Sequence, residues 1–348
     1  MTKRFQNQTI GFKRSSSYAD DLISLASTEY YQFGKQNILW GNFPTEKRDL
    51  NIHVTGAART PQDVYFPGYA VGLAMNATAV NAIPLYYALG KTTNSGSNPY
   101  THILEAADVG SALPDFLLRS EDYSSETGIY DSYLGIYIKN LNFSIDFRKR
   151  ENMAVYGING VGQKIAAPQF AGASDAGKLI IPGAHDKHFM WSAGSNPMVA
   201  NWGSTFSSGV HSSGGTAITD DILDFSLVID NALTPDKPQS QSYPSEYIFG
   251  NQVFVATFDI MRQSANSKIV YTDFLTMQDG STKKNFHFKI WQDATHYIQI
   301  DMENFTLGGV TRNNTVGSKE LAIFTCQGIF QTIKVTALDP LIGSTWYI

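Results

Sequence analysis

The chain has 348 residues, 43% of them hydrophobic and only 16% charged, with 26 Lys and Arg against 31 Asp and Glu and a formal net charge of −5. That is apolar enough for a large core, and a negative balance without a clustered basic face excludes a module that grips nucleic-acid phosphates. Cys326 is the one cysteine, so an intrachain disulfide is excluded; within the apolar run LAIFTCQGIF it reads as a small buried hydrophobe rather than a nucleophile.

Residues 1–44 read as an N-terminal arm, with a serine-capped short helix expected from Ala19 and with Trp40, Phe43 and Pro44 leading into the first strand. Its basic residues have no apolar run behind them, so no signal peptide is expected, and no stretch has the length of a membrane-spanning helix. A first domain is expected over 45–165. Alternation predicts strands at 49–54 and 63–75, the second broken by Pro67-Gly68. A helix over 79–89, closed by Gly90, follows, and then strands at 100–105, 115–121, 133–147 and 153–160. Residues 166–220 are dominated by Gly, Ser and Ala and read as a linker or loop; SSGVHSSGGT at 207–216 is expected to be flexible, while Trp191 and Trp202 are expected to pack on a surface. A second domain is expected over 221–340, with strands at 224–229 and 253–258, a helix over 267–277, and strands at 285–291, from Ile298, and at 321–328. Residues 341–348 are a tail.

The strand at 133–147 breaks its own alternation. Leu134, Ile136 and Ile138 are two apart, and then the parity flips to Leu141, Phe143, Ile145 and Phe147. A slip of one residue turns every later side chain to the wrong face unless a β-bulge absorbs it, so a bulge is predicted at Lys139-Asn140. The same apolar-x-apolar-charged-Asn-apolar-x-apolar pattern recurs at Ile300–Leu307, which predicts a second bulge at Glu303-Asn304. Three further echoes in the same order make a duplicated domain the expectation, with the two bulges at equivalent positions.

Catalytic signatures are absent. There is no G-x-S-x-G elbow and no phosphate loop, and Gly157-x-x-Gly160-x-Gly162 follows a strand without opening a helix. His185-Asp186-Lys187-His188 is the densest histidine pair but has no further ligands at metal spacing, so no metal and no cofactor is expected. Glu105, Asp115, Glu121, Asp122, Glu246, Asp259 and Asp301 include no convincing pair for glycoside hydrolysis, and Arg148-Lys149-Arg150 reads as a solvated turn.

As a set, TIGFKRSSSYADD, VYFPGYAVG, AIPLYYALGK, NPYTHIL, LPDFLLRSEDY and YLGIYIKNLNFSIDF, with FSLVIDNAL and YPSEYIFGNQVFVATFDI in the second half, resemble the phage-type tail tube (major tail protein) family. The resemblance implies a mainly β fold of two β-sandwich or barrel-like tube domains, each with a flanking helix. It implies a structural virion protein, not an enzyme, made in the host cytoplasm and built into the virion tail. Copies would form rings, three chains per ring being favoured over six, and the rings would stack into a conduit for genomic DNA. The implied further partners are the tape-measure and tail-end proteins and, in some tails, a sheath; no membrane is implied. Under that resemblance the lumen-facing row is expected to be Lys139, Asn142, Ser144, Asp146, Asp301, Glu303 and Thr306. Phe5, Tyr18, Trp40, Trp191, Trp202, Trp346 and Tyr347 are expected at ring-to-ring contacts. The alternatives are a receptor-binding or baseplate module and, further off, a polysaccharide-acting enzyme.

Overall fold

The computed structural model describes residues 8–14, 45–48, 51–53, 63–65, 69–97, 99–122, 129–148, 153–165, 169–170, 189, 192–193, 196–236, 243–261, 264–277, 282–313 and 323–339. The fold is mainly β, with large antiparallel sheets and two helices among these residues. The first strands are β1 (Gln8–Arg14), β2 (Thr45–Arg48), β3 (Asn51–His53), β4 (Asp63–Tyr65) and β5 (Tyr69–Thr78). Helix α1 (Ile83–Leu89) leads to β6 (Gly90–Gly96), β7 (Tyr100–Ala106), β8 (Phe116–Asp122), β9 (Ile129–Asp146) and β10 (Val155–Gly162). Short strands follow: β11 (Lys164–Ile165), β12 (Gln169–Phe170), β13 (Ser192–Ala193), β14 (Asn196–Pro197), β15 (Val199–Trp202), β16 (Thr205–Ser207), β17 (Val210–Ser213) and β18 (Thr216–Ala217). Then come β19 (Ile222–Asp230), β20 (Thr234–Asp236), β21 (Glu246–Ile248), β22 (Val253–Met261), helix α2 (Ala265–Thr276), β23 (Lys284–Trp291), β24 (Tyr297–Asn313), β25 (Ile323–Phe330) and β26 (Thr332–Asp339).

One long sheet runs β2-β5-β10-β9-β19-β22-β25-β24. Its inner face alternates cleanly: Phe143 and Ile145, Phe225 and Leu227, Phe258 and Ile260, and Phe324 and Cys326 are all buried in one core cluster. A second sheet, β6-β7-β26-β24-β23-β15-β18, contributes Leu104, Val335, Ile300, Phe288 and Ala200 to that cluster. The two longest strands, β9 and β24, each pass from one set of pairings into another: β9 leaves β8 for β10 and β19, and β24 leaves β23 and β26 for β25. A strand shared between two sheets must bend, and both bend at bulges.

Both predicted bulges are present. Against β10, Asn159 pairs with Asn140 and Gly160 with Ile138, leaving Lys139 as the extra residue. Against β23, Glu303 and Asn304 stand opposite Asn285 alone, and Asn304 has φ +56°. Their equivalence is overturned. The first half has an earlier bulge, where Leu134-Gly135 opposes Leu117 and Gly135 has φ +62°. The second half has a later one, where Gly308 is the extra residue opposite the Gln327-Gly328 step. Order and register therefore align Gly135 with Asn304 and Lys139 with Gly308. Each half holds two bulges, four to five residues apart in both.

The same alignment gives the outer strands a place. β1 pairs with β8 so that Phe12 opposes Leu118, and β15 pairs with β23 so that Trp202 opposes Phe286. Both aromatics are buried. Part of the arm thus docks on its own chain, and part of the expected linker is a core strand. The 207–216 stretch, expected to be flexible, is the β16–β17 hairpin followed by β18, which pairs with β15. The strand expected at 49–54 covers β3, while β2, β6 and β26 were passed over.

The helices follow local signals. Asn81 Oδ1 accepts the Ile83 N–H at 3.0 Å, and Gly90 at φ +97° closes α1 with its N–H on the Tyr86 carbonyl. All seven α1 residues are buried, so this helix is a core element rather than a flanking one. Ser264 caps α2 by accepting the Ser267 N–H, and α2 leaves Ile269 and Leu275 exposed.

Candidate functional site

Chemistry-bearing side chains gather on the outer face of the long sheet. Residues paired across antiparallel strands share a face. One row reads Asp146, Asp224, Asp259, Thr325 across β9, β19, β22 and β25. The next reads Ser144, Ser226, Thr257, Gln327, and the third reads Asn142, Val228, Val255, Ile329, Thr306. Most are half-buried, while Gln327 and Ile329 are exposed. The face is therefore a band of short polar and small apolar side chains, with no long basic residue inside these rows. Ser226 Oγ donates to Asn142 Oδ1 at 2.8 Å and ties β9 to β19.

The acidic row is held by Arg148, which reaches back from the turn after β9. Its Nε donates to Asp146 Oδ1 at 3.1 Å and its NH1 to Asp259 Oδ2 at 3.1 Å, and its NH2 donates to Asp224 Oδ2. Asp224 Oδ1 also accepts the Asp259 backbone N–H at 3.0 Å, and Thr325 Oγ1 donates to Asp259 Oδ1 at 2.6 Å. Burial first, and the neighbouring Asp259 charge second, push Asp224 up to about 6. Arg148, read from sequence as a solvated turn residue, is the counter-ion of three strands. The polar positions of DILDFSLVID signalled the face, but which strands flank β19 is not a local property.

Of the row expected to line a lumen, Asn142, Ser144, Asp146 and Thr306 lie on this face, and Lys139 is exposed at the bulge beside it. Asp301 does not. It is fully buried on the second sheet, where Oδ1 accepts from His287 Nδ1 at 2.7 Å and Oδ2 from Gln299 Nε2 at 2.7 Å. Glu303 is also off the face, at the β23–β24 bulge opposite Thr332. Among the expected ring-to-ring aromatics, Trp202 is corrected: it is 1% exposed, packs on Phe258, Phe286 and Phe305, and donates Nε1–H to Asp273 at 2.7 Å. Phe5, Tyr18, Trp40, Trp191, Trp346 and Tyr347 lie outside the described residues, as do His185 and His188.

Exposed apolar side chains collect at the end of the face away from Arg148. Val253 and Ile329 lie on it, and Val109 and Ile248 belong to neighbouring segments. A cavity of about 320 Å³ opens there between the 106–113 segment and 249–254, with Asn231 and Gln252 among its lining. Gln252 Nε2 donates to the Ala88 carbonyl and to Asn231 Oδ1, so these amides tie β19 to the end of α1.

Elsewhere the reactive groups are quenched. Burial pushes the Cys326 thiol up to about 12, far from a thiolate at neutral pH. Glu105 pairs with Lys334 at 2.9 Å. Among the described residues no three His, Cys, Asp or Glu side chains are grouped to hold a metal ion, and no helix is long and apolar enough to cross a membrane. No family model and no curated protein matches the chain.

Proposed function

We propose that this chain is a self-assembling structural protein of a tailed-virus tail tube, three copies closing each ring of a conduit for DNA. The observation that carries the reading is the repetition inside the long sheet. The order β2-β5-β10-β9 recurs as β19-β22-β25-β24, and one bulge falls at the same place in each half, at Lys139 and at Gly308. Two homologous units joined edge to edge account for this. The units meet where β9 pairs with β19, Asn142 opposite Val228 and Asn140 opposite Asp230.

That junction leaves two free edges among the described residues. β2 pairs only with β5, and the 306–313 part of β24 pairs only with β25. They are the counterparts of β19 and β9. Repeating the internal junction between copies sets Thr311 of one chain opposite Thr45 of the next, and Gly309 opposite Lys47. Unpaired edges invite such addition, and closing the sheet on itself removes them. Six four-stranded units from three chains would form the wall. Its inner surface would be the short-side-chain face, whose acidic row favours passage of a polyanion over its capture.

Negative-stain electron microscopy of the purified chain at high concentration tests the reading: rings or tubes with a central hole and threefold symmetry are expected. A chain that stays monomeric across salt and concentration overturns it. A Thr45→Cys/Thr311→Cys variant, oxidised with copper phenanthroline, tests the register, and covalent trimers are the expected product. Rings without cross-links would reject the register while keeping the ring.

A further inference from the structure

The second sheet has an outer face of its own, and the β16–β17 hairpin lies over it. Across that face run His287, Asp301, Lys334 and Glu105, on β23, β24, β26 and β7 in turn. Lys334 Nζ donates to the Ser208 carbonyl at the hairpin tip at 2.6 Å and pairs with Glu105. The tip bends through two left-handed residues, Ser208 at φ +50° and Gly209 at φ +78°, and a Cβ on Gly209 would meet the Lys334 side chain at 3.4 Å. Beyond the tip, His211 lays its ring flat on that of His287, 4.0 Å between centroids and 19° from parallel, with Phe206 edge-on at 6.3 Å.

The stack has a defined protonation requirement. The Asp301 carboxylate takes its two partners from beneath, His287 Nδ1 and Gln299 Nε2. His211 Nδ1 is buried and meets no hydrogen-bond partner. As a neutral ring it stacks at little cost, its Nδ1 lone pair facing inward. A proton there would create a buried donor without an acceptor, against two basic groups of β23, His287 and Lys289. Asp301 on β24 and Glu105 on β7 pull the other way, but Asp301 is engaged by His287 and Glu105 by Lys334.

We propose that the β16–β17 hairpin is a pH-sensitive latch, docked on the second sheet while His211 is neutral and released as His211 takes a proton. Burial, then the His287 charge, holds His211 below the usual histidine range, against the pull of Asp301. The sign follows from linkage. The docked state binds fewer protons than the released one, so docking is at full strength above about pH 6.5 and weakens by up to about tenfold per pH unit below it. Release uncovers the His287–Asp301–Lys334 row and parts the Lys334 ammonium from the Ser208 carbonyl, leaving it paired with Glu105, so acid changes the shape of this face and adds a charge at His211. The latch goes beyond the ring reading and stands whether or not rings form.

Hydrogen exchange by mass spectrometry on the full chain at pH 7.5, 6.5 and 5.5, corrected for intrinsic rates, tests it. Protection of residues 205–213 in the native chain is expected to fall by more than about twofold between pH 7.5 and 5.5. In His211→Phe, which keeps a flat ring but cannot titrate, it is expected to change less than twofold. Equal loss in both chains, or none in the native chain, overturns the latch. A second measurement needs no variant: NMR of the native chain carrying 13C-labelled histidine should give His211 a titration midpoint below 6.5, and a midpoint at or above 6.5 overturns the latch.

Discussion

Replacing Arg148 with Met keeps the aliphatic stem and removes the charge that faces Asp146, Asp224 and Asp259. The three carboxylates sit on adjacent strands, which are about 4.8 Å apart. At an effective dielectric constant near 20 two such charges repel by about 3 kcal/mol; these groups retain 15–24% exposure, and solvent screening reduces that to about 1 kcal/mol per neighbouring pair. That repulsion is present in both chains; what the variant loses is the attraction of the guanidinium to the three carboxylates, which the same screening sets at about 2 kcal/mol in all at pH 7. The pH dependence separates this account from a simple loss of contacts. The Asp224 pKa, about 6, lies above the ordinary carboxylate value of 3.8, so its contribution to stability is complete below pH 3.8 and is lost as pH rises through 6. At pH 4.5 Asp224, the central member of the row, is protonated and its attraction to the guanidinium is lost in the native chain too, so the deficit should shrink to about 1 kcal/mol. Urea unfolding of the native chain and Arg148→Met at pH 4.5, 6 and 8, at constant ionic strength, reads the difference in midpoint. A deficit that is the same at all three pH values, or absent at pH 8, would refute the electrostatic account of the row.

Other positions make separate predictions. Trp202→Ala should cost about 3–5 kcal/mol in chemical denaturation, because it empties a core site and removes one of the two partners of Asp273, leaving Lys284; a surface aromatic would cost almost nothing. At the bulge residues with positive φ, Gly135→Ala should cost about 1–2 kcal/mol, while Asn304→Gly should be close to neutral by thermal melting. Gly328→Ala would set a Cβ 2.4 Å from the Thr306 carbonyl oxygen and 2.6 Å from the Phe305 ring, so a loss of at least about 2 kcal/mol is expected. A thermal midpoint within a degree of the native value would show that β24 and β25 are not packed this closely.

Much of the fold is legible in local alternation. β7, β8, β10, β19, β22, β23 and β25 fall within a few residues of where apolar periodicity sets them, and in β10, β19, β22 and β25 most buried side chains recur at every second position. Two bulges were legible for the same reason: Lys139 and Glu303-Asn304 interrupt an alternating run. The other two were hidden. Leu134-Gly135 lies within Tyr133–Ile138, where every residue is buried and there is no parity to break, and Gly308 has no side chain to mark a face. The echo between the visible bulges therefore misaligned the halves by about five residues.

Sequence by itself determined a mainly β chain with one helix in each half, two of the four places where its long strands bend, and a polar face along β9, because strand period, parity breaks, caps and breakers act over a few residues. Tertiary structure decided what each polar face meets. Asp301 has the alternation of an exposed strand residue, yet His287 and Gln299 satisfy it beneath a hairpin brought from 205–213. Trp202 stands in a Gly- and Ser-rich stretch, yet pairing of β15 with β23 carries it into the core. Arg148 follows a strand end, yet it clamps carboxylates from positions 224 and 259. In each case the deciding partner is distant in the chain, and pairing between strands far apart depends on the whole sheet rather than on either strand.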